Sequence, residues 1–292
     1  CPLTVGDSET IKVHVHVADP GTPISYGASQ GALRDVVVED MREQYEAYAA
    51  ARAGAAARAP AFGEAPVTLI EQKPPAISVI VVASGEGLVN VFRSLGATVV
   101  VEGGQTMNPS TAQILEAVEA SESEDVLVLP NNKNILMAAE QAAEVSDKNV
   151  QVVPTRTIPQ GVSALLALDQ EASLDQNVAS MLSYAEDVIT GEITWATRDV
   201  QFNGVEVQEG DAIGLLEDEL VVSARSLGEV ARWLLAEVDI RMCELVTLYY
   251  GDEITDEEAN ELADTLLREY PELEFEVVEG GQPHYPYIIS IE

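Results

Sequence analysis

Residues 11 to 17, IKVHVHV, alternate strictly, with Ile11, Val13, Val15 and Val17 on one side and Lys12, His14 and His16 on the other. A period of two predicts a half-buried strand. Asp19, Pro20 and Gly21 then predict a turn, followed by a short helix, and ALRDVVVEDM (32–41) a second short strand. Residues 41 to 65 are rich in Ala and Arg and end in Pro and Gly, the composition of a helix fraying into a linker.

From residue 77 the pattern changes to continuous apolar runs: ISVIVVA, TVVVEGG, DVLVLP and NVQVVPT. Between them LVNVFRSLG, NPSTAQILEAVEAS and NNKNILMAAEQAAEVS carry apolar residues at helical spacing. Unbroken apolar strands joined by helices predict a parallel, doubly wound α/β sheet covered on both faces. Beyond residue 168 the style changes again. DQNVASMLSYAEDVI reads as a helix, and residues 191 to 224 as a meander with Asn203 and Gly204 at a hairpin turn. SLGEVARWLLAEV is a helix capped by Ser226; ELVTLYYG is a strand, and TDEEANELADTLLREYP a helix opening on a Thr-x-x-Glu capping box. EFEVVEGGQPHYPYIISIE closes the chain as strand, turn, strand. The organisation predicted is a fragment over 1–60, an α/β lobe over 66–168 and an α+β lobe over 169–292.

One phrase occurs twice. VVVEGGQTMNPST (99–111) and FEVVEGGQPHYPY (275–287) each leave a strand through Glu-Gly-Gly-Gln and enter a Pro-bearing turn. The two turns fall one in each predicted lobe, at strand C-terminal ends.

Charge narrows the partners. With 50 acidic against 15 basic residues, the formal charge of -35 repels phosphate backbones and anionic lipid headgroups. Nucleic acid and membrane surfaces are therefore not expected, and a partner with a basic face is favoured, although an acid-rich surface also serves solubility alone. Cys1 and Cys243 are far apart and form no CxxC, so neither a disulfide framework nor a cysteine-rich metal site is indicated and a cytoplasmic setting is expected. No apolar run approaches the roughly 20 residues of a membrane span. Cys1 is read as the cut edge of a longer protein.

Chemistry-bearing stretches are few. No Walker loop, dinucleotide fingerprint or Gly-x-Ser-x-Gly elbow is present, and SGEGL has the wrong glycine spacing for a phosphate loop. In LPNNKN, Asn131, Asn132 and Asn134 stand where a strand ends and a helix begins, an arrangement suited to an anion. The same asparagines also serve to cap the helix and tie down the neighbouring GGQTMNPST loop. VPTRTIPQG likewise carries Thr155, Arg156, Thr157 and Gln160 past a strand end, as ligand groups or as a polar loop.

EGGQTMNPST, LPNNKNI, AAEQAAE, PTRTIPQG and GGQPHYPYIISIE, with IKVHVHVADPG upstream, closely resemble the carboxy-terminal part of the fatty acid kinase A subunit, the DAK2-domain fusion or dihydroxyacetone-kinase-like family. The resemblance covers essentially the whole chain. It implies the tail of a middle domain followed by a DegV-like two-lobe domain, with the DhaL-like kinase domain, its ATP and its magnesium absent from this stretch. No cofactor is then expected here. The partner implied is a DegV-like fatty-acid-binding subunit, and a homodimer of the full-length protein is compatible with it.

On that template the loop holding Thr106 and Asn108 aligns with an acyl-site loop, and the NNKN stretch with a small-residue loop. Gly103, Gly104 and Gln105 from one lobe and Gly280, Gly281 and Gln282 from the other would line the lobe interface, where paired glycines let backbones approach. The expected role is non-catalytic docking and regulation in a two-component fatty acid kinase that forms an acyl phosphate. The alternative is a stand-alone module holding a fatty acid or small carboxylate in the inter-lobe cleft. Against it, Asn and Lys stand where small Ser or Gly residues are expected beside an acyl carboxylate. The resemblance also implies zinc in the middle domain: His14 and His16 project from one strand face about 7 Å apart, with a further cysteine ligand upstream that Cys1 does not match.

Overall fold

The structure, a computed structural model, describes residues 2–6, 11–15, 21–31, 75–104, 107–202 and 205–292. The chain divides into two units, residues 1–73 and 74–292. In the first, β1 (Pro2–Gly6) pairs antiparallel with β2 (Ile11–Val15), Leu3 opposite His14, and α1 spans Gly21–Gln30. Cys1, His16, the Asp19-Pro20 turn, the strand expected at 32–41, the helix expected at 41–65, Gln105, Thr106 and the Asn203-Gly204 turn lie outside the described residues.

The second unit begins with four parallel strands, β3 (Ile77–Ala83), β4 (Val99–Glu102), β5 (Asp125–Leu129) and β6 (Asn149–Val152), in the order β4-β3-β5-β6. The helices between them are α2 (Glu86–Ser94), α3 (Thr111–Ala120) and α4 (Leu136–Val145). Continuous apolar strands are explained by the two faces. Ile80, Val82, Val126 and Val128 pack against Ile114 and Val118 of α3 and Ala139 and Ala142 of α4. Val79, Val81, Leu127 and Leu129 point the other way, onto Leu88 and Phe92 of α2 and onto two further helices, α5 (Ile158–Leu166) and α6 (Leu174–Glu186). Each such fully buried side chain contributes about 1.5–3 kcal/mol. Ser110 caps α3 and Ser173 caps α6, each in a reciprocal box with the Gln three residues on.

Helix α5 departs from the sequence pattern. Pro159 and Gly161 punctuate its first turns and read as loop, yet Thr157 caps it and Pro159 occupies a first-turn position where a missing N–H costs nothing. Helix α6, expected with the second lobe, packs Leu174, Met181 and Ala185 into the core of the parallel sheet.

The second sheet has six strands: β7 (Ile189–Trp195), β10 (Ala212–Leu216), β11 (Glu219–Ala224), β12 (Leu245–Tyr250), β13 (Glu274–Glu279) and β14 (Tyr287–Ile291), in the order β11-β10-β7-β14-β12-β13. Strands β8 (Val200–Phe202) and β9 (Val205–Val207) form a separate hairpin. Only β12 and β13 pair in parallel within the six, as the crossover through α8 (Asp256–Glu269) requires. Helix α7 (Leu227–Glu237) and α8 cover one face through Val230, Leu234, Ala259 and Leu266, packed against Ile193, Val246, Leu248 and Ile289. On the opposite face Tyr249 and Ile288 join the core of the parallel sheet. One apolar cluster thus spans both lobes, while each lobe keeps a further cluster of its own, a parallel α/β lobe joined to a mixed-sheet lobe.

Candidate functional site

In a sheet of order β4-β3-β5-β6, the connections after β3 and β5 leave in opposite directions. The crevice outside the carboxyl ends of those two strands is where open α/β sheets hold ligands. Here that crevice is filled by Asn131, which is buried with φ 54°. Its Nδ2 donates to the Val82 carbonyl at 3.0 Å and its Oδ1 accepts from the Thr155 hydroxyl at 2.8 Å. Its backbone N–H donates to Thr155 Oγ1 at 3.1 Å. The amide is pressed against Gly161 of α5, where any β-carbon would overlap its oxygen. Gly161, a loop-former by its sequence context, thus makes the space that Asn131 occupies.

The neighbouring groups are also engaged within the chain. Asn132, buried, accepts the Asn134 N–H on its Oδ1 at 2.8 Å. Gln160 Oε1 accepts the Arg156 N–H at 2.9 Å, and the Gln160 N–H reaches Thr157 Oγ1 at 3.3 Å. Arg156 and Asn108 are exposed, and Thr106 lies outside the described residues. So Asn131 and Thr155 form a hydrogen-bonded plug, Asn132 and Gln160 bond within their own loops, and Asn108 and Arg156 are exposed.

The two Glu-Gly-Gly-Gln turns do different things. In the first, Gly103 donates to the Ala83 carbonyl at 3.2 Å and Gly104 to the Met107 carbonyl at 3.1 Å, so the loop folds onto its own lobe. In the second, Gly280 and Gly281 both donate to the Tyr250 carbonyl at 3.0 Å, and the Gly280 carbonyl accepts the Leu88 N–H of α2 at 2.9 Å. A β-carbon on Gly85 (φ 105°) would lie 2.5 Å from the Gly280 oxygen. The second turn therefore meets SGEG, whose glycine spacing is wrong for a phosphate loop, and not the first EGGQ. Gln282 is buried beside it, donating to the Tyr249 carbonyl at 2.8 Å, and its Oε1 has no hydrogen-bond partner among the described residues.

Further along the seam, the hydroxyls of Thr157 and Thr190 lie 2.8 Å apart and both residues are buried. Lys133 Nζ lies 3.0 Å from Asp218 Oδ2 in the β10–β11 turn. Burial holds the Tyr285 hydroxyl far above the usual tyrosine range, and the carboxylates of Glu192 and Asp218 add to it. Beside the seam, an open groove of about 280 Å³ runs between α2 and β4, walled by Glu86, Val89 and Arg93 on the helix and by Val100 and Glu102 on the strand. Its lining comes from the first lobe alone. Among the described residues no group of three or more His, Cys, Asp or Glu side chains could hold a metal ion. His14 lies in β2, and His16 is outside the described residues.

Comparison with known proteins now decides the family. Residues 78–292 match the FakA-like C-terminal domain, that of the fatty acid kinase A subunit and its relatives, and residues 1–48 match the FakA-like middle domain. The chain belongs to the FakA-like family. Protein YloV of Bacillus subtilis is 39% identical over 290 residues, which is 99% of this chain and 51% of YloV. An uncharacterized protein of Staphylococcus epidermidis is 38% identical over the same length and coverage. This FakA-like chain thus spans about half the length of the curated relatives it matches.

Among solved structures, the DegV family protein Cg2579 from Corynebacterium glutamicum is similar with a TM-score of 0.52 at 18% identity, over 75% of this chain and 97% of that one. A DegV family protein from Thermus thermophilus gives 0.51 at 14%, over 74% and 99%. The dihydroxyacetone kinase of C. freundii gives 0.53 at 12%, over 76% and 48%. At these identities the likeness is one of fold, and it is the two-lobe DegV-like fold that the sequence implies. No helix among the described residues is long and apolar enough to cross a membrane.

Among the seam residues that sequence reasoning missed are Gly85, Gly87, Thr190, Glu217 and Asp218. For the glycines a signal existed in their spacing around a strand end. For the acidic pair there was none, because Glu-Asp carries no type I′ turn signature and reads as ordinary surface charge.

Proposed function

We propose that this chain is the non-catalytic docking and regulatory portion of a two-component fatty acid kinase. It helps present an acyl chain, held by a separate DegV-like fatty-acid-binding subunit, to an ATP- and magnesium-using domain elsewhere in the full-length protein, and transfer yields an acyl phosphate. Membership of the FakA-like family supports the kinase relation. The observation that carries the non-catalytic, docking half of the reading is the plugged crevice. Asn131 and Thr155 spend their hydrogen-bonding groups on each other and on the Val82 carbonyl, in the place where this class of sheet would hold a ligand. A chain whose own crevice is occupied by its own side chains is suited to bind a partner by its surface. The excess of 35 negative charges favours a partner with a basic face.

The test is reconstitution. The full-length protein and a DegV-like subunit from the same cell, loaded with fatty acid, are expected to form a complex and to give acyl phosphate with ATP and magnesium only when both are present. Acyl phosphate from the full-length protein and free fatty acid alone would overturn the two-component reading. The alternative, a fatty acid held in the inter-lobe cleft of this chain, predicts lipid co-purifying with the full-length protein in stoichiometric amount, and mass spectrometry of an organic extract separates the two.

A further inference from the structure

The turn joining β10 to β11 is made of Glu217 (φ 49°) and Asp218 (φ 66°), flanked by the pair Leu216 and Glu219. A two-residue hairpin with both centres at positive φ is a type I′ turn, for which Asn-Gly is the low-strain choice. Glu and Asp are held here in backbone conformations that cost free energy for a residue bearing a β-carbon. Both side chains are used at the lobe seam. Glu217 Oε1 accepts the Thr190 N–H at 2.6 Å while the Glu217 N–H donates to the Thr190 carbonyl at 2.9 Å, so one residue fixes both backbone groups of Thr190. The Thr190 hydroxyl in turn meets that of Thr157, the cap of α5 in the other lobe. Asp218 reaches across to Lys133, in the loop between β5 and α4.

We propose that the turn formed by Glu217 and Asp218 is a latch that fastens the second lobe to the start of α5 and to the NNKN loop, its backbone strain being the cost of aiming both carboxylates at the seam. Release of Asp218 from Lys133 loosens the Thr190–Thr157 contact and opens this end of the seam, while the other end, held by the Leu88 N–H on the Gly280 carbonyl, stays closed.

Hydrogen exchange in the full-length protein tests it. Asp218→Asn removes the ion pair and keeps a residue tolerant of positive φ; Lys133→Met removes the other partner. Each is expected to speed exchange at the Gln160 and Thr190 amides about two- to fivefold, the range a half-exposed ion pair allows, with the double variant no faster than either single one and the Leu88 amide unchanged. The pair Glu217→Asn with Asp218→Gly is expected to protect the β10–β11 hairpin more strongly and yet expose Thr190. Unchanged exchange at Gln160 and Thr190 in both single variants, additive effects in the double variant, or stronger protection of Thr190 in the Asn-Gly turn would each overturn the latch. Should Asp218→Asn fail to fold, Lys133→Met carries the test alone.

Discussion

A β-carbon placed on Gly87 would overlap the carbonyl oxygen of Glu279, so the first turn of α2 and the end of β13 meet backbone against backbone across the lobe seam. Backbone on both sides leaves no flexible side chain to yield. Gly87→Ala is therefore expected to destabilise the protein by about 1–3 kcal/mol, as overpacking does in a filled core. Gly104→Ala, in the first Glu-Gly-Gly-Gln turn, is the control, since among the described residues its β-carbon meets nothing closer than Ser84 Cβ at 3.6 Å; it is expected to change stability by less than about 0.5 kcal/mol. Denaturant midpoints of the two variants check this, and equal effects would contradict it.

Asn131 makes a second pair of expectations. Replacing it by Ala leaves the buried Val82 carbonyl without the amide donor and the Thr155 hydroxyl proton without its acceptor, the backbone N–H bond to Thr155 Oγ1 remaining, and puts a less tolerant residue at positive φ. The cost is expected at about 2–3 kcal/mol. Asn131→Gly loses the same bonds but not the backbone compatibility, and should recover about 1 kcal/mol of that loss. Denaturation of the two variants side by side separates the hydrogen bonds from the conformation.

The second sheet also makes stability depend on pH. Burial raises the Glu276 carboxyl above its ordinary value of 4.5, with the neighbouring carboxylates of Glu274 and Glu292 adding to it, and burial raises Glu292 as well. A carboxyl whose folded pKa is raised binds its proton more tightly when folded. Its favourable contribution is complete below pH 4.5 and is lost as pH rises through the folded value. Glu276→Gln should therefore be more stable than the parent at neutral pH, with the gap closing as pH falls towards 4.5. Urea midpoints across that range check it, and a gap that widens on acidification would contradict it.

Much of this architecture was legible in the residues. ISVIVVA and DVLVLP announced a doubly covered parallel sheet because both faces of each strand had to be apolar, and the structure buries every residue of Ile77–Ala83. What stayed hidden depended on what faces what. EGGQ says that a backbone can approach something closely; it does not say whether that is Met107 of its own loop or Leu88 of the other lobe. Asn131 reads as an anion ligand or, more readily, as a helix cap and loop tie, and its place as a plug emerges only when Gly161, far along the chain, is seen to leave room for its amide. Helix α5 was lost to Pro159 and Gly161, breakers in most contexts, because the cap at Thr157 and the buried run after it outweigh them only once the second sheet supplies a surface to pack on.

Docking of a separate acyl-carrying subunit through the charged surface of this chain is a proposal that binding kinetics can test. The direct measurement is the association rate of the full-length protein with a DegV-like subunit from the same cell, taken at low and at physiological ionic strength. A complex is expected whose association slows several-fold as salt is raised, with the dissociation rate little changed. No complex at either salt, or an association rate indifferent to salt, would contradict it.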